Sequence, residues 1–192
     1  IVFIPHEHEI YPGKERRQFD LTPLDEVMEG KYRPGHFNGV AQVVSRLFEI
    51  ISPDRAYFGE KDFQQVAVIR KLTRMLQLPV DIISCPIIRE DDGLAMSSRN
   101  RLLTPEERKK APKIYQVLSV AREKQAKLQP AALKLWVTET LNQVPSMQVE
   151  YFEIVDDQNL MSITSWEQPV NKVGCIAVQL GAVRLIDNIY FH

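Results

Sequence analysis

The sequence predicts an α/β fold in which a parallel sheet is followed by a smaller α+β unit. Two apolar, strand-like runs, Arg55-Ala56-Tyr57-Phe58 and Pro79 to Cys85, flank a stretch where Val66, Ile69, Leu72 and Met75 recur at helical spacing. Strand, helix and strand in that order make a βαβ unit with parallel pairing and a right-handed crossover. Near residue 89 the composition changes. Helical segments with clear start signals then precede three strand-like runs, which makes the α+β unit.

A chain of 192 residues holds one sizeable core or two small domains. Its 44% hydrophobic and 26% charged content is that of an ordinary soluble globular protein. A net charge of -1 argues against a dedicated nucleic-acid binder. Cys85 and Cys175 lie far apart without metal-ligand spacing and suit a reduced cytoplasm better than a disulfide framework. No apolar run approaches a membrane span, and no signal peptide is visible. The chain opens inside the apolar run Ile1-Val2-Phe3-Ile4, with no initiating methionine, which leads us to expect a fragment or processed chain.

Taken in order, Ile1 to Ile4 reads as a buried strand closed by Pro5. His6-Glu7-His8-Glu9 offers alternating imidazoles and carboxylates, open to a metal reading or to plain solvation in a loop. Tyr11-Pro12-Gly13 is a turn, and Lys14-Glu15-Arg16-Arg17 a charged, mobile surface stretch. Thr22-Pro23-Leu24-Asp25 is a helix start, with Thr22 as N-cap and Pro23 in the first turn, and Gly30 ends that short helix. The breaker-rich loop Arg33 to Gly39 either presents Arg33 and His36 to an anion or is a solvated turn. Val40, Val43, Val44, Leu47, Phe48 and Ile51 then make an amphipathic helix that packs on a sheet.

The stretch Phe58-Gly59-Glu60-Lys61-Asp62-Phe63-Gln64-Gln65 joins the first central strand to its helix. Asp62 and Gln65 have capping-box spacing, so the helix is expected to begin at Asp62. Gly59 leaves room for a ligand, the free N–H groups of a helix start favour an anion, and Lys61 adds a positive charge. These features fit a phosphate site at the carboxyl end of a parallel strand; an empty junction is the alternative. Pro86 to Arg89 leads out of the next strand, and Glu90-Asp91-Asp92-Gly93 is a turn. Leu94 to Arg101 then places two hydroxyls and two guanidiniums in one polar loop, suited to phosphate oxygens or simply solvated. Thr104-Pro105-Glu106-Glu107 is a capping box that starts a helix, interrupted at Ala111-Pro112 and followed by a second to about Lys127. Ala131 to Gln143 is a further helix. Gln148 to Val155, Val173 to Leu180 and Ala182 to Asp187 are the strands.

Arg33-Pro34-Gly35-His36-Phe37, Phe58 to Gln65 and Asp92 to Asn100 resemble, in order and separation, blocks of the pantoate–β-alanine ligase family. The resemblance continues to Arg184-Leu185-Ile186-Asp187-Asn188 and covers essentially the whole chain. It implies a nucleotidylyltransferase-like (Rossmann-like) fold, with 1–88 the C-terminal part of the nucleotide-binding domain and 89–192 an α+β lid domain. It implies ATP, pantoate and β-alanine as substrates, a pantoyl-adenylate intermediate, Mg2+ as a further cation, and a cytoplasmic homodimer. Gly59-Glu60-Lys61-Asp62 is similar to the segment lining the ATP site, with Lys61 neutralising phosphate charge. Gln65 resembles the pantoate-binding glutamine, and Ile88 the position whose backbone meets the adenine. Met96-Ser97-Ser98-Arg99 resembles the loop that closes over the phosphates. Arg33 and His36 match the motif without a derived role, although both are candidates for substrate contact. No metal-ligating residue is implied.

These roles agree with the residue types, because adenylation places charge on phosphorus and its leaving group and so needs fixed cations and N–H donors. One departure stands out. The family's histidine-containing nucleotide signature and a second pantoate-binding glutamine have no counterpart here; His6-Glu7-His8 is not that motif. The expectation is therefore the C-terminal two-thirds of such a ligase, inactive alone. The alternatives are a non-catalytic dimerising fragment, or a nucleotidylyltransferase acting on another small acid.

Overall fold

A computed structural model of the chain describes residues 1–11, 13 and 17–191. The turn expected at Tyr11-Pro12-Gly13 and the charged stretch Lys14 to Arg17 fall largely outside the described residues. Two compact units are present, one of residues 1–58 and 64–85, the other of residues 59–63 and 86–192.

In the first unit, Ile1 to Ile4 is not the expected buried strand: it has no regular structure and is exposed. A strand needs a neighbouring edge and an apolar cover, and none of the described strands pairs with it. Helix α1 is a single turn, Glu7–Ile10, closed by the His6 N–H donating to Glu9 Oε2 at 2.7 Å. The helix expected from Thr22 forms later. Residues 22–25 make a turn, and α2 spans Met28–Tyr32 with Gly30 inside it, where a Cβ would run into the Asp25 backbone. Gln64 explains the shape of this segment. Its Oε1 accepts the Glu29 N–H at 2.9 Å, and its Nε2 donates to the carbonyls of Leu24 (2.6 Å) and Val27 (2.9 Å).

Helix α3, His36–Ile51, follows Gly35, whose φ of +79° turns the chain into it, so His36 to Gly39 are helix rather than loop. Its buried line is Phe37, Ala41, Ser45 and Phe48; Val40, Val43, Val44 and Leu47 are half-buried, and Ile51 is exposed. Steps of four and three keep the buried set on one face, and the small Ala41 and Ser45 allow close packing. Phe48 meets Phe58 edge to face at 6.4 Å. Strand β1 (Arg55–Gly59), helix α4 (Phe63–Met75) and strand β2 (Asp81–Cys85) complete the expected parallel βαβ unit. Val66, Ile69 and Leu72 of α4 are buried, whereas Met75 at its end is exposed.

Apart from residues 59–63, the second unit begins past Cys85. Thr104 caps α5 (Pro105–Lys110): its Oγ1 accepts the Glu107 N–H, and Glu107 Oε2 accepts the Thr104 N–H at 2.8 Å. Helix α6 (Lys113–Lys124) ends three residues before the expected Lys127, and α7 (Pro130–Asn142) lies within one residue of expectation at each end. Their buried residues, Ile114, Val117, Leu118 and Ala121, then Leu133, Val137 and Leu141, pack on an antiparallel sheet in the order β3 (Met147–Asp156), β4 (Lys172–Leu180), β5 (Val183–Phe191). Strand β5 runs on past Asp187, the expected end, because residues 188 to 191 stay in register with β4. Gly174 in β4 is required by packing: a Cβ there would lie 2.7 Å from the Phe191 ring and 2.9 Å from that of Phe152. No helix among the described residues is long and apolar enough to cross a membrane.

Gln64→Ala is expected to destabilise the chain by about 1–3 kcal/mol for each backbone group left unpaired. Gln65→Ala should stay within about 0.5 kcal/mol. Urea unfolding of the two variants side by side is the measurement.

Candidate functional site

The segment Gly59–Phe63 carries Lys61. Glu60–Asp62 form one 3₁₀ turn after an extended Gly59, with no side-chain cap. The capping box expected from Asp62 to Gln65 does not form: among the described residues neither side chain makes a hydrogen bond. The reason is that Asp62 sits inside the helical turn, whereas an N-cap must be extended. A Cβ at Gly59 would meet nothing within 4 Å, so the space beside it is open.

Strand β5 holds this segment. Asn188 Nδ2 donates to the carbonyls of Glu60 (2.7 Å) and Lys61 (3.3 Å), and Tyr190 meets the Phe63 ring edge-on at 6.0 Å.

The second candidate loop leaves a short hairpin. Arg89 and Ala95 form an antiparallel bridge, and the Met96 N–H donates to the Ile88 carbonyl at 2.9 Å. Gly93 turns the hairpin at φ +91°, and a Cβ there would lie 2.7 Å from the Tyr115 ring. Ser97 is extended, and its Oγ accepts the Arg99 N–H at 3.3 Å, which starts the 3₁₀ turn Ser98–Leu102. Asn100, the buried residue of this turn, donates from Nδ2 to the Ala95 carbonyl (3.1 Å) and to Glu90 Oε1 (3.2 Å), while its Oδ1 has no partner among the described residues.

Beneath the hairpin lies a bidentate ion pair. Arg89 donates to the two carboxylate oxygens of Asp187 at 2.7 and 3.0 Å and to the Gly93 carbonyl at 3.1 Å. Its guanidinium stacks 3.6 Å from the centre of the Tyr115 ring. The Asp187 side chain is 3% exposed. Burial pushes its carboxyl above the ordinary range, against the downward pull of Arg89, the Asn188 N–H and the Lys61 charge.

Lys61, Ser97, Arg99, Arg184 and Asp187 line one small depression together with Leu94, Ile114 and Leu185. Arg184 is paired with Glu150 at 2.5 Å. The cationic heads of Lys61 and Arg99 make no hydrogen bond or ion pair among the described residues. Two unpaired cations beside a serine hydroxyl can neutralise a phosphate-like anion.

The predicted residues are thus placed unevenly. Lys61, Ser97 and Arg99 come together; Ser98 is exposed on the same turn, and Met96 and Ile88 are exposed on the hairpin. Gly59 and Asp62 are exposed and Glu60 half-buried. In the first unit, Arg33 Nη1 lies 3.3 Å from His36 Nε2 and 3.9 Å from Glu29. Gln65 is half-buried, and its amide is unpaired among the described residues. Sequence reasoning assigned no role to Gln64, Arg89, Asn100, Asp187 or Asn188. For Asp187 and Asn188 the available signal was two adjacent polar residues between the apolar Ile186 and Ile189, because buried polar groups demand partners.

Arg89→Ala is expected to cost about 3–5 kcal/mol in denaturant unfolding, since it strands a buried carboxylate. Arg89→Lys should recover only part of this, lacking the fork that reaches both oxygens.

Residues 1–190 match the family described as pantoate–beta-alanine ligase. Pantothenate synthetase of Porphyromonas gingivalis is 57% identical over 191 residues, taking in 100% of this chain and 68% of the relative. That of Bacteroides fragilis is 51% identical over 189 residues, 98% of this chain and 67% of the relative. Among solved structures, pantothenate synthetase from Thermus thermophilus superposes with a TM-score of 0.88 at 42% identity, covering 96% of this chain and 67% of that one. Pantoate–beta-alanine ligase from Francisella tularensis, complexed with beta-gamma ATP and beta-alanine, superposes at 0.74 and 33%, covering 96% of this chain and 62% of that one. This chain therefore spans about two thirds of the length of the curated relatives it matches. The fold of these neighbours is nucleotidylyltransferase-like, as the sequence blocks implied.

Proposed function

The chain belongs to the pantoate–β-alanine ligase family, and from that premise we propose that it serves ATP-dependent condensation of pantoate with β-alanine through a pantoyl adenylate. The observation that carries this reading is the meeting of Lys61 and Arg99, both unpaired among the described residues, with Ser97 in one depression. The Francisella relative complexed with beta-gamma ATP and beta-alanine supports the same substrates here.

In the first step a pantoate carboxylate oxygen attacks the α-phosphorus of ATP, and the bond to pyrophosphate breaks. Negative charge grows on the leaving oxygens. Lys61 and Arg99 neutralise it, with Ser97 and Ser98 as hydroxyl donors and Gly59 leaving space for the phosphates. In the second step the β-alanine amine attacks the acyl carbon, AMP departs with the bonding electrons, and the amine loses a proton. Glu60 and Asp62 flank the nucleotide, the Ile88 backbone borders the adenine, and Met96 belongs to the loop over the phosphates. The Gln65 amide both donates and accepts, which suits a substrate with hydroxyl and carboxylate groups. Arg33 and His36 offer further donors to pantoate. Among the described residues no group of three His, Cys, Asp or Glu side chains could hold a metal ion. Magnesium therefore fits this reading only as an ion carried on phosphate oxygens and water, and no step is routed through it. The two free cysteines support a reducing, cytoplasmic setting, and the enzyme is proposed to act as a homodimer.

In the enzyme that contains this chain, Lys61→Ala should lower kcat about 10²–10³-fold with little change in the KM for pantoate. Gln65→Ala should raise that KM first. Pyrophosphate release dependent on pantoate reads both, and survival of Lys61→Ala within a few fold refutes the assignment. The family's histidine nucleotide signature is not among these 192 residues. The chain as the sole protein is therefore expected to form little or no pantothenate, and turnover comparable with the longer relatives refutes that.

A further inference from the structure

The turn that carries Lys61 is weakly self-supporting. It is a single 3₁₀ turn of three residues that runs on into α4 at Phe63 but is uncapped at its Gly59 end, with open space beside that glycine. An ammonium on four flexible carbons, mounted on such a turn, is spread over a volume larger than a transition state tolerates. Something else must fix its base. The Asn188 amide does so: Nδ2 reaches the carbonyls of Glu60 and Lys61 together, at 2.7 and 3.3 Å, from a side chain on a residue only 4% exposed.

Asn188 is itself immobilised. It stands opposite Cys175 in the β4–β5 ladder, and its own N–H donates to Asp187 Oδ1 at 2.8 Å. Asp187 in turn is gripped by Arg89, which also anchors the hairpin leading to Ser97 and Arg99. We infer that Asn188 is a positioning residue of the reaction: it clamps the backbone of Glu60 and Lys61 so that the Lys61 ammonium stands in register with the Ser97–Arg99 loop. The inference rests on the role proposed above for Lys61. Two donor hydrogens on one nitrogen meet two adjacent carbonyls, a match that neither aspartate nor leucine at this place reproduces.

The test uses the enzyme that contains this chain and compares Lys61→Ala, Asn188→Ala and Asn188→Asp. Asn188→Ala is expected to lower kcat for pyrophosphate release about 10- to 100-fold, with the pantoate KM within about twofold and amide exchange across Gly59–Phe63 raised at least about tenfold. Asn188→Asp keeps the shape but offers only acceptors, so it should do no better than alanine. A wild-type kcat in Asn188→Asp, or a fall in kcat with wild-type exchange at 59–63, overturns the inference. Should neither Asn188 variant fold, amide exchange of the unaltered enzyme carries the test: Gly59–Phe63 is expected to be protected as strongly as β5, and exchange there at the rate of an open turn overturns the inference. If Lys61→Ala itself retains turnover within a few fold, the reading of the site falls instead, whatever Asn188 does.

Discussion

The Arg89–Asp187 ion pair is the constraint from which the second unit's site is built. Burying two charges is costly, and a buried pair is weak evidence of net stability. Here the cost is offset by a complete set of partners. Both Asp187 oxygens accept from the guanidinium, the Asn188 N–H donates to one of them, and the Gly93 carbonyl and the Tyr115 face take the rest of Arg89. What the pair supplies is register. A planar fork meets one carboxylate in one orientation, which pins the start of the hairpin to a single position on β5.

Two consequences follow along the chain. From Arg89 the hairpin bends at Gly93, which Tyr115 leaves no room to replace, and delivers Ser97 and Arg99 onto a turn held by Asn100. From Asp187 the next residue, Asn188, reaches the carbonyls beneath Lys61. One ion pair thus coordinates two loops far apart in sequence, and both end in cations that make no ion pair among the described residues. Cations of this kind are otherwise solvated, and they can take up an anion without first being freed from a carboxylate.

Neighbouring polar residues differ in how far the fold itself engages them. Gln64 is consumed by three backbone hydrogen bonds to Leu24, Val27 and Glu29, while Gln65 keeps its amide unengaged among the described residues. Asp187 is sealed at 3% exposure, and Asn188 beside it serves the turn. Arg184 is tied to Glu150, whereas Arg99 in the same depression is not tied. The helix–sheet core under α6 and α7 supplies the rigidity these distinctions need, with Gly174 admitting the Phe152 and Phe191 rings.

Local chemistry was enough to read much of this from the amino acids. The βαβ unit, the Thr104 capping box, the break at Ala111-Pro112 and the strands after residue 147 are set by apolar spacing, caps and proline, all of which act within a few residues. The blocks around Lys61 and Ser97 were legible as candidate anion sites for the same reason. What needed the tertiary structure was everything decided by a partner distant in sequence. Ile1 to Ile4 has strand composition but pairs with none of the described strands. The helix expected at Thr22 gives way to a loop shaped by Gln64, 40 residues from Leu24. Asp62 has a capping residue's identity but stands inside its turn. That Asn188, 127 residues beyond Lys61, holds that lysine's backbone is invisible to any local pattern, because a hydrogen bond across a fold leaves no periodicity in the chain.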